Sequence, residues 1–241
     1  MVYCFFKPEA MTTKSFAKQK VAVFDLDGTI FRSTLHFELL KGLVQYGIFP
    51  FIVLKEIKEY HDGWVNRRGH YRDFEQSLIT SYKNGIKNKV VDDIQKVSRY
   101  IVEEKREHIY VYTRDLIERL RNEYILLAIS GSPREVVDVF TDFWKFDRAY
   151  GAEYESKDGV YTGEIVFPAY NKKREILEKF CSEHHLTLEG SIGIGDTAGD
   201  VAFLEMVTQP IAFNPSRELY DIAKERKWKI VVERKDMIYE Q

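Results

Sequence analysis

The chain is poor in everything that would mark it for an oxidising compartment, a membrane or a polyanionic partner. Its two cysteines, Cys4 and Cys181, are too few and too far apart for a disulfide framework and lack metal-type spacing, which points to a reducing, cytoplasmic setting. Lysine and arginine total 36 against 38 acidic residues, and the net charge of −2 is interspersed, so there is no electrostatic case for nucleic acid or an anionic membrane surface. The longest apolar run, Tyr46 to Leu54, is broken by Pro50 and far too short to span a bilayer. The start, with Tyr3-Cys4-Phe5-Phe6, lacks the basic and long apolar regions of a signal peptide. Residues 1–19 read as an N-terminal extension, within which Met11 is a candidate start. Internal repeats and low-complexity tracts are absent.

What is present is a globular composition, 44% apolar and 31% charged over 241 residues, enough for a full core or for a core with an inserted lobe. The most informative stretch is Val21-Ala22-Val23-Phe24-Asp25-Leu26-Asp27-Gly28-Thr29. Four apolar residues read as a short buried strand that runs into two carboxylates. Residues two apart in an extended chain point to the same side, so the strand delivers Asp25 and Asp27 together, with Gly28 permitting a sharp turn. Two carboxylates about 4 Å apart repel by roughly 4 kcal/mol at an effective dielectric near 20, so a cation or a proton is needed there.

From Phe31 to about His108 the apolar spacing turns helical, over residues 34–48, 51–61, 71–84 and 90–106, with Asn84-Gly85 as a helix stop. The stretch contains no strand-like alternation and reads as a helical insertion. Beyond it, strands and helices alternate. A charged helix from Thr113 to Asn122 precedes the apolar strand Ile125 to Ile129, and Pro133 sits where the next helix begins. Lys157-Asp158-Gly159 marks a hairpin within residues 148–166. A helix from Lys173 to Glu183, the strand Ser191 to Ile194, a helix near 199–206, the strand Pro210 to Phe213, a helix from Ser216 to Lys227 and the strand Lys229 to Val232 follow. This order predicts an α/β doubly wound, Rossmann-like parallel sheet, whose ligands bind at the carboxyl ends of its strands.

Polar clusters fall at those ends. Asp25 and Asp27 end the first strand. Ser130-Gly131-Ser132-Pro133 ends the second, where a hydroxyl and backbone N–H groups meet a helix N-terminus, a ready anion site. Lys172 or Lys173 begins the third helix, and Gly195-Asp196-Thr197-Ala198-Gly199-Asp200 adds two more carboxylates. A dianionic phosphate could not approach four carboxylates unaided. One divalent cation and one lysine offset three of the charges, and a proton on one Asp offsets the fourth. Oxygen-only ligands suit Mg2+. The set is what phosphoryl transfer needs: a nucleophile, an acid/base, a metal site and donors for the phosphoryl oxygens. Alone, Asp25 to Gly28 reads as a strand-ending turn and Ser130 to Pro133 as a helix cap; in this order the motifs favour chemistry.

The order DLDGT, SGSP, lysine, GDTAGD resembles the haloacid dehalogenase superfamily. The helical insertion after the first motif, together with Ala212-Phe213-Asn214-Pro215 through Trp228, resembles its phosphoserine-phosphatase-like subfamily IB over about residues 20–233. The resemblance implies a discontinuous α/β core, residues 20–33 and 109–241, carrying an all-helical cap, residues 34–108. It implies Asp25 as the nucleophile that becomes an aspartyl-phosphate, and Asp27 as the general acid and base. Mg2+ is implied to be held by Asp25, the Asp27 carbonyl and Asp196, with Asp200 nearby. Phosphoryl oxygens are implied to be bound by Ser130 and the Gly131 N–H, and by Lys173, which matches the Lys-x-x-x-Leu pattern with Leu177 better than Lys172 does.

The implied activity is Mg2+-dependent hydrolysis of a small phosphorylated metabolite. Phosphotransfer to an acceptor alcohol is the alternative within the same chemistry, and a receiver-like phospho-Asp signalling domain is the alternative outside it. Phosphoserine itself fits poorly. The position of the acid that reads its amino group falls in Phe31-Arg32-Ser33-Thr34, with no acid before Glu38. The cap segment Phe74-Glu75-Gln76-Ser77-Leu78-Ile79-Thr80-Ser81-Tyr82 lacks the arginine that reads its carboxylate. Arg67, Arg68 and Arg72 read as a solvated face, or, more sharply, as readers of a second anionic group. His36, His61 and His70 read as satisfied or solvent-facing side chains.

Overall fold

The computed structural model describes residues 20–241, so the N-terminal extension and Met11 lie outside the described residues. Strand β1 (Lys20–Phe24) is the axis of the fold, and its residues from Val21 to Phe24 are wholly buried. It lies between β2 (Tyr124–Pro133) and β5 (Thr187–Gly195), parallel to both. With β3 (Arg148–Lys157), β4 (Val160–Phe167), β6 (Gln209–Phe213), β7 (Lys229–Arg234) and β8 (Met237–Glu240) these form an eight-stranded sheet of order β4-β3-β2-β1-β5-β6-β7-β8. The two edge strands β4 and β8 pair antiparallel and the rest pair parallel. The chain order changes direction at β1, and the crevice at the carboxyl ends of β1, β2 and β5 is where such sheets bind ligands.

Alternation along β1 feeds two hydrophobic layers. Val21 and Val23 pack with Ile125, Leu127 and Ile129 against α7 (Lys173–Glu183), α8 (Val201–Leu204) and α9 (Arg217–Glu225). Ala22 and Phe24 face the opposite layer, with α5 (Val111–Leu120), α6 (Arg134–Phe143) and helices that precede them. Both faces of the sheet are therefore covered, which explains the unbroken apolar runs in β1 and β2.

Four helices lie between β1 and α5: α1 (Leu35–Gln45), α2 (Ile52–Val65), α3 (Tyr71–Ile86) and α4 (Val91–Lys105). The chain enters and leaves this insertion side by side, since Arg32 N donates to the His108 carbonyl at 2.9 Å and Tyr110 N to that of Ile30 at 3.0 Å. The far end is also tied. The turn between α3 and α4 exchanges backbone hydrogen bonds with the β3–β4 hairpin: Asn88 N to Tyr161 O at 2.8 Å, Tyr161 N to Lys89 O at 2.9 Å and Val91 N to Gly159 O at 2.9 Å. Leu39, Phe74, Tyr82 and Ile86 of the insertion belong to the same buried cluster as Phe24, Phe140 and Tyr154. Among the described residues no helix is long and apolar enough to cross a membrane.

Two local readings of the sequence are corrected, and one strand is added to them. Asn84-Gly85 does not stop α3, which runs on to Ile86. Helix 199–206 is a single 3-10 turn followed by the four residues of α8. Strand β8, too polar and exposed to show in the apolar pattern, extends the sheet at its far edge. Gly85 is required for packing rather than for a turn: a Cβ there would lie 2.5 Å from Cε2 of the buried Phe49 ring. Alanine at an unobstructed helical glycine gains up to ~1 kcal/mol. Here Gly85→Ala is expected to lose about 1–3 kcal/mol through overpacking, read as a lower urea midpoint. A raised midpoint would show that the Phe49 contact does not constrain the site.

Candidate active site

The carboxyl end of β1 gathers the four clusters. Asp25 directly follows the strand; its backbone N–H donates to Ile194 O of β5 at 3.0 Å, which fixes the residue between the two central strands. Its side chain is 5% exposed. Lys173, the first residue of α7, is buried too, and its Nζ donates to Asp25 Oδ1 at 2.7 Å and to Asp200 Oδ1 at 2.6 Å. Lys172 points outward, with its Nζ 3.9 Å from Glu175. The other Asp25 oxygen, Oδ2, is buried without a protein partner.

The loop after β5 is held by Asp200. Its Oδ2 accepts from the backbone N–H groups of Asp196 and Thr197, at 3.0 and 2.9 Å, and from Thr197 Oγ1 at 3.2 Å. This reciprocal cap turns Asp196 toward the first loop, where Thr29 Oγ1 donates to its Oδ1 at 3.4 Å. Gly28, with φ of +82°, lies against it, and a Cβ at that position would fall 2.2 Å from Asp196 Oδ2. One oxygen each of Asp25, Asp196 and Asp200 lie within 4.8 Å of one another. Three converging hard oxygen donors, one from each carboxylate, fit a divalent cation such as Mg2+.

Asp27 sits in a different environment. Its Oδ2 accepts from the hydroxyls of Ser130 and Ser132, both at 2.7 Å, and its Oδ1 from Leu35 N at 2.6 Å. Ser132 Oγ in turn accepts from His36 N at 2.9 Å. The first amides of α1, a helix capped by the Thr34 side chain on Phe37 N at 3.0 Å, thus point at Asp27 and its serine partner. Gly131 lies half-buried between the two serines, where the β2–β3 register is interrupted.

Burial dominates the proton affinities. Desolvation, opposed by Lys173 and reinforced by Asp200 and Asp27, pushes Asp25 up to about 8. Burial likewise raises Asp27, although the bonds from Ser130, Ser132 and Leu35 hold it down, and it raises Asp196 beside Asp25 and Asp200. Burial works against the Lys173 charge, but the Asp200 and Asp25 carboxylates outweigh it and hold the ammonium above its ordinary range.

Asp25, Asp27, Ser130, Gly131, Lys173, Asp196 and Asp200 therefore all belong to one neighbourhood. Sequence reasoning left Ser132 without an assignment and missed two residues of α3. Tyr71 and Glu75, four apart on one face, lie within electrostatic reach of this cluster: Tyr71 of Asp196, Asp27 and Asp25, Glu75 of Lys173, Asp27 and Asp200. Glu75 touches water but is walled by protein, and incomplete hydration pushes it up to about 7. Arg67, Arg68 and Arg72 are exposed, as a solvated face would be. His36 is neither satisfied nor exposed: its Nε2 is buried without a partner, and burial lowers its pKa to about 3. An open groove runs past Leu116, Ile192, Pro210 and Trp228, away from these carboxylates.

The haloacid dehalogenase-like hydrolase profile matches residues 22–205. The chain belongs to the haloacid dehalogenase-like hydrolases. Within that family it falls in the phosphoserine-phosphatase-like branch and is an enzyme of the phosphatase type. It is 26% identical over 199 residues to a phosphoserine phosphatase of Methanocaldococcus jannaschii, an alignment that covers 81% of this chain and 86% of that one. Among solved structures it resembles a Bordetella pertussis protein of unknown function, with a TM-score of 0.71 and 18% identity over 89% of this chain and 98% of the other. A phospho-aspartyl intermediate analogue of phosphoserine phosphatase gives 0.62 and 24% over 91% and 95%. These structural likenesses carry the fold.

A charge cluster of this kind makes the metal-free fold sensitive to pH. Between pH 6.5 and 8 an unfolded Asp25 carboxyl is ionised while the folded one retains its proton, so the folded state binds more protons and loses stability as pH rises. The melting temperature in chelator is expected to be lower at pH 8 than at pH 6.5. Mg2+ should raise it at pH 8 and flatten the difference, and Asp196→Asn should abolish the Mg2+ effect. A melting temperature indifferent to Mg2+ would count against a metal site.

Proposed function

We propose that the protein is a Mg2+-dependent phosphomonoesterase that hydrolyses a small phosphorylated metabolite through an aspartyl-phosphate on Asp25. The observation that carries the reading is the division of the Asp25 carboxylate: Oδ1 is held by the buried Lys173 at 2.7 Å, while Oδ2 is left without a protein partner inside the site. An oriented carboxylate oxygen free of hydrogen bonds is a nucleophile awaiting an electrophile. Asp25 Oδ2 attacks phosphorus as the bond to the leaving oxygen breaks. Asp27, whose hold on a proton burial strengthens, gives that proton to the leaving oxygen. In the second half Asp27 takes a proton from the attacking water, which cleaves the acyl phosphate, frees inorganic phosphate and restores Asp25.

Bound Mg2+, held by Asp25, Asp196 and the Asp27 carbonyl with Asp200 nearby, would supply positive charge to the phosphoryl oxygens. Because both oxygens of Asp200 are engaged, its part is to place Lys173 and the loop amides. Lys173, Ser130 and the Gly131 N–H are the donors for the phosphoryl group; for that, Ser130 Oγ turns from Asp27 to the substrate. The helices α1–α4 act as the cap that walls off the leaving group.

Phosphoserine is not the preferred substrate in this reading. Thr34, at the position of an amine-reading acid, spends its hydroxyl on the helix cap. Glu38 is paired with Lys41 at 2.7 Å and accepts from Ser33 at 3.3 Å. A ligand ammonium or carboxylate left unpaired on burial costs several kcal/mol.

Phosphate release from a panel of phosphomonoesters should require Mg2+, vanish in Asp25→Asn and rank phosphoserine well below the best ester; release that survives the substitution would refute Asp25 as nucleophile. The two serines on Asp27 give a sharper outcome. Ser132→Ala frees the acid to rotate, so turnover of an alkyl phosphate, whose leaving group needs a proton, should fall by roughly 10- to 100-fold, less than the full ~100- to 10,000-fold effect of a general acid because the acid is misplaced rather than removed. p-Nitrophenyl phosphate, with its good leaving group, should lose much less. Equal losses on both esters would reduce Ser132 to a structural role.

A further inference from the structure

We propose that Gly151 is a positioning residue for the general acid: its bare backbone lets strand β3 press against the Ser130–Ser132 loop and so keeps the two serines against Asp27. The inference rests on the phosphatase reading and deepens it, since Gly151 acts on the reaction only through the loop it supports.

The loop is a local expansion of β2. Ile129 of β2 pairs with Tyr150 of β3, and the next pair is Pro133 with Ala152. Ser130, Gly131 and Ser132 therefore lie opposite a single residue, Gly151. Surplus residues in one strand bend it and re-aim its side chains. The bonds record the bend. Ser132 N donates to Ser130 Oγ at 2.9 Å, a side-chain turn, and both hydroxyls meet on Asp27 Oδ2 at 2.7 Å.

Gly151 is what the bent segment rests on. A Cβ there would fall 2.8 Å from Arg134 Cα, 2.9 Å from Ser132 O and 3.0 Å from Arg134 N. Among the glycines of the described residues, it alone would set a Cβ this close to backbone atoms. A flexible side chain can rotate away from an added methyl group, whereas a peptide moves only with the residues it joins. A glycine within a strand often marks such a close approach of another backbone.

The hairpin is the more firmly held of the two partners. Strands β3 and β4 pair with each other, and Tyr161 and Gly159 share backbone hydrogen bonds with Asn88, Lys89 and Val91 of the insertion. Two side chains also clasp the start of α6 to it: Arg134 Nη1 donates to Glu153 Oε1 of β3 at 2.7 Å, and the Tyr161 hydroxyl donates to Glu135. An added methyl at 151 is therefore relieved by the loop, which shifts Ser132 away from β3. Asp27 does not follow, because its other oxygen is held separately by Leu35 N at 2.6 Å. The acid and its hydroxyl donors are placed by different parts of the chain, and Gly151 sets the gap between them.

Gly151→Ala, assayed with Mg2+ on ethyl phosphate and p-nitrophenyl phosphate, tests the proposal. A misplacement of about 1 Å can cost about 100-fold, and the smaller shift forced by one methyl group should lower kcat for ethyl phosphate by roughly tenfold. p-Nitrophenyl phosphate, which needs little protonation of its leaving group, should lose less than about threefold. In a Ser132→Ala background the same substitution should add much less than it does alone, as expected of residues that act through one contact. Arg134→Ala, at an exposed position, loosens the same junction and should give the same selective loss at smaller size; it decides the matter if Gly151→Ala does not fold. Equal losses on both esters, or a full further loss in the Ser132→Ala background, would reduce Gly151 to a packing role. No release from either ester by the wild-type protein would instead refute the phosphatase reading, and the role of Gly151 with it.

Discussion

The structure is organised around the problem of keeping carboxylates together at the end of a buried strand. Lys173 is the main answer. Its ammonium, inserted from the first turn of α7, bridges Asp25 and Asp200 in a region almost closed to water. Taking three charged groups out of water is expensive, and only close geometry with additional donors makes it tolerable. The additional donors are the amides of Asp196 and Thr197, which the Asp200 side chain gathers while it holds the lysine. Sheet, helix and loop are thus mutually dependent: without the lysine, the strand end and the loop would present unpaired buried anions to each other.

That arrangement also separates two carboxylates that are nearly adjacent in the chain. Asp25 faces a fixed cation and other acids. Asp27 faces hydroxyls and the amides of a helix start, all neutral donors. Environments that differ this much push the protonation states of two like groups apart, which in the proposed reaction is how one site obtains a nucleophile and an acid from the same residue type.

Much of this could be read from the sequence, for identifiable reasons. The apolar run of β1 and its DLDGT end were legible because a doubly covered central strand needs an unbroken apolar segment and its functional residues follow at once. The four clusters were legible because each lies at a strand end. The choice between Lys172 and Lys173 depends on which of two neighbours at a helix start faces inward, and only the packing of α7 into the buried layer it shares with β1 and β2 decides that. Asn84-Gly85 misled because local turn preference was overridden by Phe49, a contact distant in sequence. Strand β8 left no apolar signature because its residues are exposed. Ser132 and Glu75 could have been suspected, the first as a second hydroxyl in the same motif and the second from its i, i+4 partner Tyr71. What faces them across the gap depends on packing, and no local pattern encodes that.

The stitching of the insertion to the β3–β4 hairpin bears on how reactants come and go. A lid that swings on two chain crossings needs a free outer edge, whereas this one is fastened at both ends and shares its interior with the sheet. Lifting it bodily would break the backbone bonds at Asn88, Tyr161 and Val91 and strip Tyr82 and Ile86 from Tyr154 and its neighbours. The exposed turn between α2 and α3, residues 66–70, takes no part in that stitching. The insertion therefore stands over the sheet as a fixed wall rather than as a flap hinged at its two crossings.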